Sequence, residues 1–278
     1  MSNPTLLFLH IPKTAGTTLN SIIERQYPPQ QIYTLGERVQ ESLANYRQLT
    51  TAEKQQYRLI LGHMGFGLHE HVPGPSRYFT VLRQPLERCV SFYYFVQRLS
   101  NHYLHEYVHD KSWSLAQFVE SGITIMMDNF QTRLLSGAWA EPAYGACTPA
   151  LLAQAKQNLQ THFDVVGLTS EFDRTLLLLR HHYGWRNIYY VRQNVTEKRP
   201  SAHEIDPRTR QLLLAHNQLD MELYQFAQTL FTQQVAAQGI SFEWELARFR
   251  LQQRWQTLRQ FSLRTYLNQK LGKGEQAP

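Results

Sequence analysis

Residues 5–19, TLLFLHIPKTAGTTL, constrain the fold more than any other stretch of this 278-residue chain. An apolar run rich in β-favouring residues ends at Pro12. Lys13 and Gly16 follow in a short turn, and Thr17 and Thr18 open a helical pattern to about Glu24. That order reads as a buried strand, a tight turn and a helix N-terminus. The first amides of a helix have no intrahelical acceptor and carry the positive end of the macrodipole, so a phosphate or sulfate fits there beside a lysine. Gly16 is expected to supply a backbone angle that other residues resist. In a Walker A loop the lysine comes after the second glycine. Lys13 precedes the glycine, so the anion is gripped differently from that of an NTPase.

Two more strand ends carry chemistry. RLILG, residues 58–62, reads as a buried strand closed by His63, and RYFTVL, residues 77–82, as another closed by Arg83, with Pro85 starting a buried helix to about Leu99. The chain continues with a helical middle from Tyr103 to Ser136, a helix from Pro149 to about Thr161 behind Thr148, a strand over 164–168, a helix over 172–182 and a strand over 187–191. Asp206 and Pro207 start one long helix through Leu219, Leu223, Phe226 and Leu230. Residues 27–57 look irregular apart from a helix near 37–49. Strands alternating with helices imply an α/β fold, with a central mostly parallel β-sheet flanked by helices on both faces. Ligands bind such sheets at the carboxyl ends of strands, where Lys13, His63 and Arg83 fall.

Hydrophobic content of 42% supports a real core, and a formal charge of +6 favours an anionic ligand or polyanionic partner. Charge alone leaves nucleotide, acidic glycan, nucleic acid and membrane surface open. Two cysteines, Cys89 and Cys147, give no disulfide framework and are expected to be reduced thiols. With no basic leader ahead of the first strand and no apolar run of membrane-spanning length, a soluble cytoplasmic protein is expected.

HIPKTAGTTL followed by VLRQPLERCVSFYYF resembles the paired nucleotide signatures of the PAPS-dependent sulfotransferases, in the branch with heparan sulfate 2-O- and 6-O-sulfotransferases. The resemblance covers about residues 7–231 and implies a P-loop-like domain. It implies that Lys13, Thr14, Ala15, Gly16, Thr17 and Thr18 hold the 5′-phosphate and sulfate of 3′-phosphoadenylyl sulfate (PAPS), while Arg83 and Ser91 hold its 3′-phosphate. LGHMGFG resembles the family's segment with the catalytic histidine, implying His63 rather than His69 or His71. DNFQTRLLSG resembles an acceptor-site element, implying Asn129, Gln131 and Arg133 as substrate-binding residues. NVTEKRP resembles the loop that closes over the nucleotide, implying Thr196, Lys198 and Arg199. The implied reaction moves a sulfuryl group to a hydroxyl of an acceptor, most simply a glycan, with His63 as base and Lys13 stabilising the leaving group. No metal and no nucleic acid are expected to take part. Golgi members of the family carry a membrane anchor and lumenal cysteine pairs, so the expectation is a bacterial-type soluble member acting on a glycan precursor or on a small or lipid-linked acceptor.

The alternatives are a P-loop kinase or NTPase, and a domain that binds nucleotide or glycan without turnover. Against the kinase, Asp164 begins its strand instead of ending it as a Mg²⁺ ligand would. His102, His105, Glu106, His109 and Asp110 share helical spacing but read as a solvated face rather than a metal site. Arg88 and Glu87 read as structural partners, and Tyr93, Tyr94 and Phe95 as core. A sulfotransferase domain is assigned to residues 1–240, and a basic C-terminal helix and tail to 241–278. That tail holds seven Lys or Arg against three Glu, with Leu251, Trp255 and Leu258 on one side. The helix is expected to pack on the domain, with a membrane-surface or polyanion contact as the alternative. The sequence leaves the oligomeric state open.

Overall fold

The computed structural model describes residues 4–36, 38–191, 201–202 and 204–270. Five strands form one parallel sheet in the order β2-β3-β1-β4-β5. They are β1 (Thr5–Leu9), β2 (Ile32–Thr34), β3 (Leu59–Gly62), β4 (Ser76–Leu82) and β5 (Phe163–Leu168). β1 is central, paired with β3 on one side and β4 on the other. Both its faces are covered, and Leu6, Leu7, Phe8 and Leu9 are all at most 5% exposed. A strand buried on both faces needs apolar residues at consecutive positions, which is why TLLFL does not alternate.

The helices are α1 (Gly16–Ile23), α2 (Val39–Gln48), α3 (Thr51–Gln55), α4 (Pro85–Arg98), α5 (Leu115–Glu120), α6 (Phe130–Ser136), α7 (Pro149–His162), α8 (Phe172–Tyr183), α9 (Pro207–His216), α10 (Gln218–Ala236) and α11 (Ser241–Lys270). One core joins the sheet to α1, α7, α8, α10 and the first turns of α11, where Phe242, Leu246 and Phe249 are buried. A second core lies between α4, α5 and α9, built on Phe92, Val96, Phe118 and Leu213.

The chain departs from its sequence pattern in four places. Ile32–Thr34, within the supposedly irregular segment, adds an edge strand to β3. The middle is not one helix but a π-turn (Glu106–Asp110), α5, a 3₁₀ turn and α6. Residues 187–191 form no strand. Side chains satisfy their backbone instead: the Tyr190 N–H donates to Gln253 Oε1 at 3.0 Å, and Arg25 donates to the Tyr189 carbonyl at 2.6 Å. The helix begun at Asp206 stops at Asn217, whose φ of −131° is not helical. Asn217 Nδ2 donates to the carbonyls of Met127 and Leu213, each at 2.9 Å.

The restart after Asn217 depends on a residue far away in the chain. Asn129 has left-handed backbone (φ 45°) and is 6% exposed. Its Oδ1 accepts the N–H groups of Leu219 and Asp220 at 2.9 and 3.1 Å, capping α10 across the fold. Asn129→Ala removes a buried acceptor and leaves those amides without it, so unfolding free energy is expected to fall by about 1–3 kcal/mol. Urea denaturation of the two proteins measures it.

Candidate functional site

β1, β3 and β4 are neighbours, and the chain leaves their carboxyl ends at Lys13, His63 and Arg83. Strands in a sheet lie about 4.8 Å apart, so three residues spread over 70 positions of sequence are brought together by topology. All three line one cleft of about 670 Å³.

The turn after β1 is built by strain and close approach. Lys13 and Ala15 adopt φ of 71° and 67°, each costing about 1–2 kcal/mol for a residue with a Cβ. Such alternation turns successive amides toward one concavity that favours anions. Ala15 caps α1, and its carbonyl accepts the N–H of Leu19, so the amides of Gly16, Thr17 and Thr18 precede the first helical bond. Gly16 is not left-handed, contrary to the sequence reading. A Cβ there would fall 1.6 Å from Nε2 of His10, so the glycine makes room for a ring. Thr14 is a second correction. Its hydroxyl is buried and donates to the Ile11 carbonyl at 2.7 Å, pinning the turn from within instead of reaching the cleft. Lys13 Nζ rests 3.8 Å from the centroid of Phe95, which is thus a cleft residue and not merely core.

Arg83 is joined directly to this turn, since its Nη1 donates to the Lys13 carbonyl at 3.2 Å and its Nη2 meets Glu87 at 3.3 Å. Glu87 also accepts the Ala202 N–H at 2.7 Å. Ser91, two turns into α4, lines the same cleft. Thr196, Lys198 and Arg199 lie outside the described residues.

Asn129, Gln131 and Arg133 are not placed to touch an acceptor. All three are buried and none lines the cleft. Arg133 is spent on Asp128 and on the carbonyls of Pro142 and Ala143. Gln131 clasps the backbone of Arg83, with Oε1 accepting its N–H at 3.0 Å and Nε2 donating to its carbonyl at 2.9 Å. Gln131 itself is held from Asp220, which accepts its N–H at 3.1 Å and that of Thr132 at 2.7 Å. These polar residues are structural supports whose chemistry serves the cleft at one remove.

His63 Nδ1 lies 2.8 Å from the His10 carbonyl. A carbonyl only accepts, so Nδ1 carries the proton and Nε2 keeps its lone pair. Burial lowers the pKa of His63 and nearby Lys13 lowers it further, against the His10 hydrogen bond, which raises it. The residue is exposed to solvent and lines the cleft. His10 was not singled out in the sequence, although a lone polar residue after LLFL is a visible signal. Its ring lies 4.3 Å from that of His63 and 5.2 Å from Phe8, and burial, His63 and Lys13 hold its pKa well below the ordinary value.

The far wall comes from the end of β5 and was also missed. Thr169, Ser170 and Phe172 line it with Tyr190 and Tyr224. The Phe172 and Tyr190 rings meet edge to face at 5.1 Å, and the Ser170 and Tyr224 hydroxyls lie 3.2 Å apart. Applying the strand-end rule to DVVGL would have found this segment. Asp164 sits at the opposite end of β5, near Arg77 at 3.8 Å. Away from the cleft, ligand atoms of His105, His109 and Asp110 lie within 4.8 Å of one another on the π-turn.

A doubly wound parallel sheet, a strained turn opening a helix, two cations and a neutral histidine at adjacent strand ends define a nucleotide-dependent group transferase. Residues 2–227 match the sequence signature of the sulfotransferase family, and the chain belongs to it. Members in general take their sulfuryl group from PAPS. The chain is 28% identical over 275 residues to heparan-sulfate 6-O-sulfotransferase 2 of Gallus gallus, covering 82% of this chain and 67% of that one. It is 25% identical over 252 residues to heparin sulfate O-sulfotransferase of Drosophila melanogaster, covering 81% and 71%. The match to heparan-sulfate 6-O-sulfotransferase 2 of Homo sapiens, 27% over 275 residues, covers 82% of this chain and 44% of that one.

The histidine pair ties stability to pH. His10 and His63 titrate below 6.5 when folded, so under that pH the unfolded chain binds more protons than the folded one. Unfolding free energy is therefore expected to fall as pH drops below about 6.5, by up to about 1.4 kcal/mol per unit for the enclosed His10 and by less for His63, which meets solvent. His10→Asn should flatten that slope in urea titrations between pH 5 and 7.

Proposed function

We propose that the cleft binds PAPS and that the enzyme transfers its sulfuryl group to a carbohydrate hydroxyl. The observation that carries this reading is the bond between Arg83 and the Lys13 carbonyl, which makes two anion grips parts of one cleft holding a histidine with a free Nε2. The volume of about 670 Å³ suits a nucleotide together with part of an acceptor.

The residues present fit the donor. Lys13 and the amides of Gly16, Thr17 and Thr18 would hold its 5′-phosphate and sulfate, and Arg83 with Ser91 its 3′-phosphate. The wall of Phe172, Tyr190 and Tyr224 offers flat apolar surface suited to a purine. When bound, PAPS supplies a sulfuryl group on a phosphate leaving group. His63 Nε2 accepts the proton of the acceptor hydroxyl, while the Nδ1 bond to the His10 carbonyl fixes the ring and steadies the imidazolium that results. With its pKa lowered below the ordinary value by burial of part of its surroundings, His63 is neutral near pH 7 and can act as base. Lys13 and the first turn of α1 stabilise negative charge at the 5′-phosphate. The names of the heparan-sulfate relatives support a glycan as acceptor. The free thiols of Cys89 and Cys147 support a reducing, cytoplasmic setting.

Lys13→Ala and Arg83→Ala should each weaken binding of 3′,5′-adenosine diphosphate by about 10- to 100-fold. For Arg83→Ala the loss should be smaller with 5′-AMP, which lacks the 3′-phosphate but still feels the freed Lys13 carbonyl. Equal losses for both nucleotides in calorimetric titration would remove Arg83 from the 3′-phosphate. His63→Ala should lower kcat by about 10²–10⁴-fold with little change in nucleotide affinity. The acid limb of kcat/KM for the wild type should fall below pH 6.5.

A further inference from the structure

α11 has two apolar faces, and only one meets the protein. Phe242, Leu246 and Phe249 are buried in the core. Trp244, Leu251, Trp255 and Leu258 are 78%, 58%, 62% and 64% exposed. At 100° per residue these four fall within an arc of about 60°, opposite the buried face. The sequence reading is thereby reversed, because Leu251, Trp255 and Leu258 are the side turned away from the domain. Charge is sorted the same way. The helix holds two carboxylates, Glu243 and Glu245, and both are drawn to α8: Glu243 pairs with Arg174 at 3.1 Å, and Glu245 with Arg180 and with His181 at 2.7 Å. Arg248 and Arg254 are exposed beside the apolar stripe.

We infer that α11 docks the enzyme on the surface of an anionic lipid bilayer, with its tryptophan and leucine stripe in the headgroup boundary and its arginines on lipid phosphates. Tryptophan and arginine suit that interface because each has an apolar body and a polar end that reaches water. Among the described residues no helix is long and apolar enough to cross a membrane, so the contact is with the surface. A second copy of the chain fits less well. The stripe from Trp244 to Leu258 is about 21 Å long and offers at most on the order of 600 Å² per partner, against roughly 800 Å² for a stable interface. It would also bring Arg248 of each copy into a drying contact. Tyr190 links this helix to the cleft, since it lines the cavity while its backbone is held by Gln253 of α11. The enzyme would thus work close to the lipid surface. The inference is independent of the nucleotide assignment, and its test involves no turnover.

The test is co-sedimentation of the full chain with vesicles of phosphatidylcholine alone and of phosphatidylcholine with 30% phosphatidylglycerol, at 0.1 M NaCl. Binding is expected only to the anionic vesicles, with a blue shift of tryptophan emission. Trp244→Gln/Trp255→Gln/Leu258→Gln should reduce it at least tenfold, and so should Arg248→Glu/Arg254→Glu, with circular dichroism and melting temperature unchanged in both. Three results would overturn the inference: no binding to anionic vesicles, binding unaltered by the triple substitution, or a dimer in light scattering that the triple substitution abolishes.

Discussion

The clasp of Gln131 on the backbone of Arg83 is the contact on which the cleft depends. One amide side chain satisfies both polar groups of a residue just past the end of β4, much as a neighbouring strand would. This fixes where the guanidinium starts, and the guanidinium in turn holds the Lys13 carbonyl. Behind Gln131 stands Asp220, which burial pushes up in pKa against the opposing influence of Arg88. It accepts from the backbone of Gln131 and Thr132 and from the Thr132 hydroxyl. A continuous polar line therefore runs from the interior of α10 through α6 to the cleft, and buried links of this kind are costly to leave half made.

The other support is the strand order. Because β1 has β3 and β4 on its two sides, the chain leaves β1 in one direction and returns to its other flank later, opening a crevice at the carboxyl edge. Past the end of each of those three strands the chain places one of Lys13, His63 and Arg83 on the cleft. His63 receives its orientation from the same place, through the carbonyl of His10 at the end of β1. The packing of His10 over Gly16 joins the strand end that orients His63 to the turn after β1, so the two sides of the cleft share a wall.

Much of this was legible in the sequence. Lys13, His63 and Arg83 each follow a short run of apolar residues, and a buried strand must stop before a charged group that is to face water. Ser91 could be reached only through likeness to a family, since nothing in its helical position separates it from Cys89 or Val90. Asn129, Gln131 and Arg133 came from the likeness of DNFQTRLLSG to an acceptor-site element, and a likeness of residues does not say where their side chains point. Their burial follows from contacts with α10 and with residues 142–143, which no local pattern encodes. The break at Asn217 was hidden for the same reason. Its helix ends because a side chain is wanted at the Met127 carbonyl, not because the sequence lacks helix formers.

The line from Asp220 to Arg83 also has a consequence for biosynthesis. The proposed anion grips at Lys13 and Arg83 sit in the first third of the chain, but the groups that hold Arg83 in place emerge from the ribosome at positions 131 and 220. A nascent chain that has completed β4 therefore carries the grips without their scaffold. Donor nucleotide in the cell would have no preformed cradle to enter until translation is nearly finished, and would then act as a late stabilising ligand for the completed domain rather than as a nucleus for its assembly.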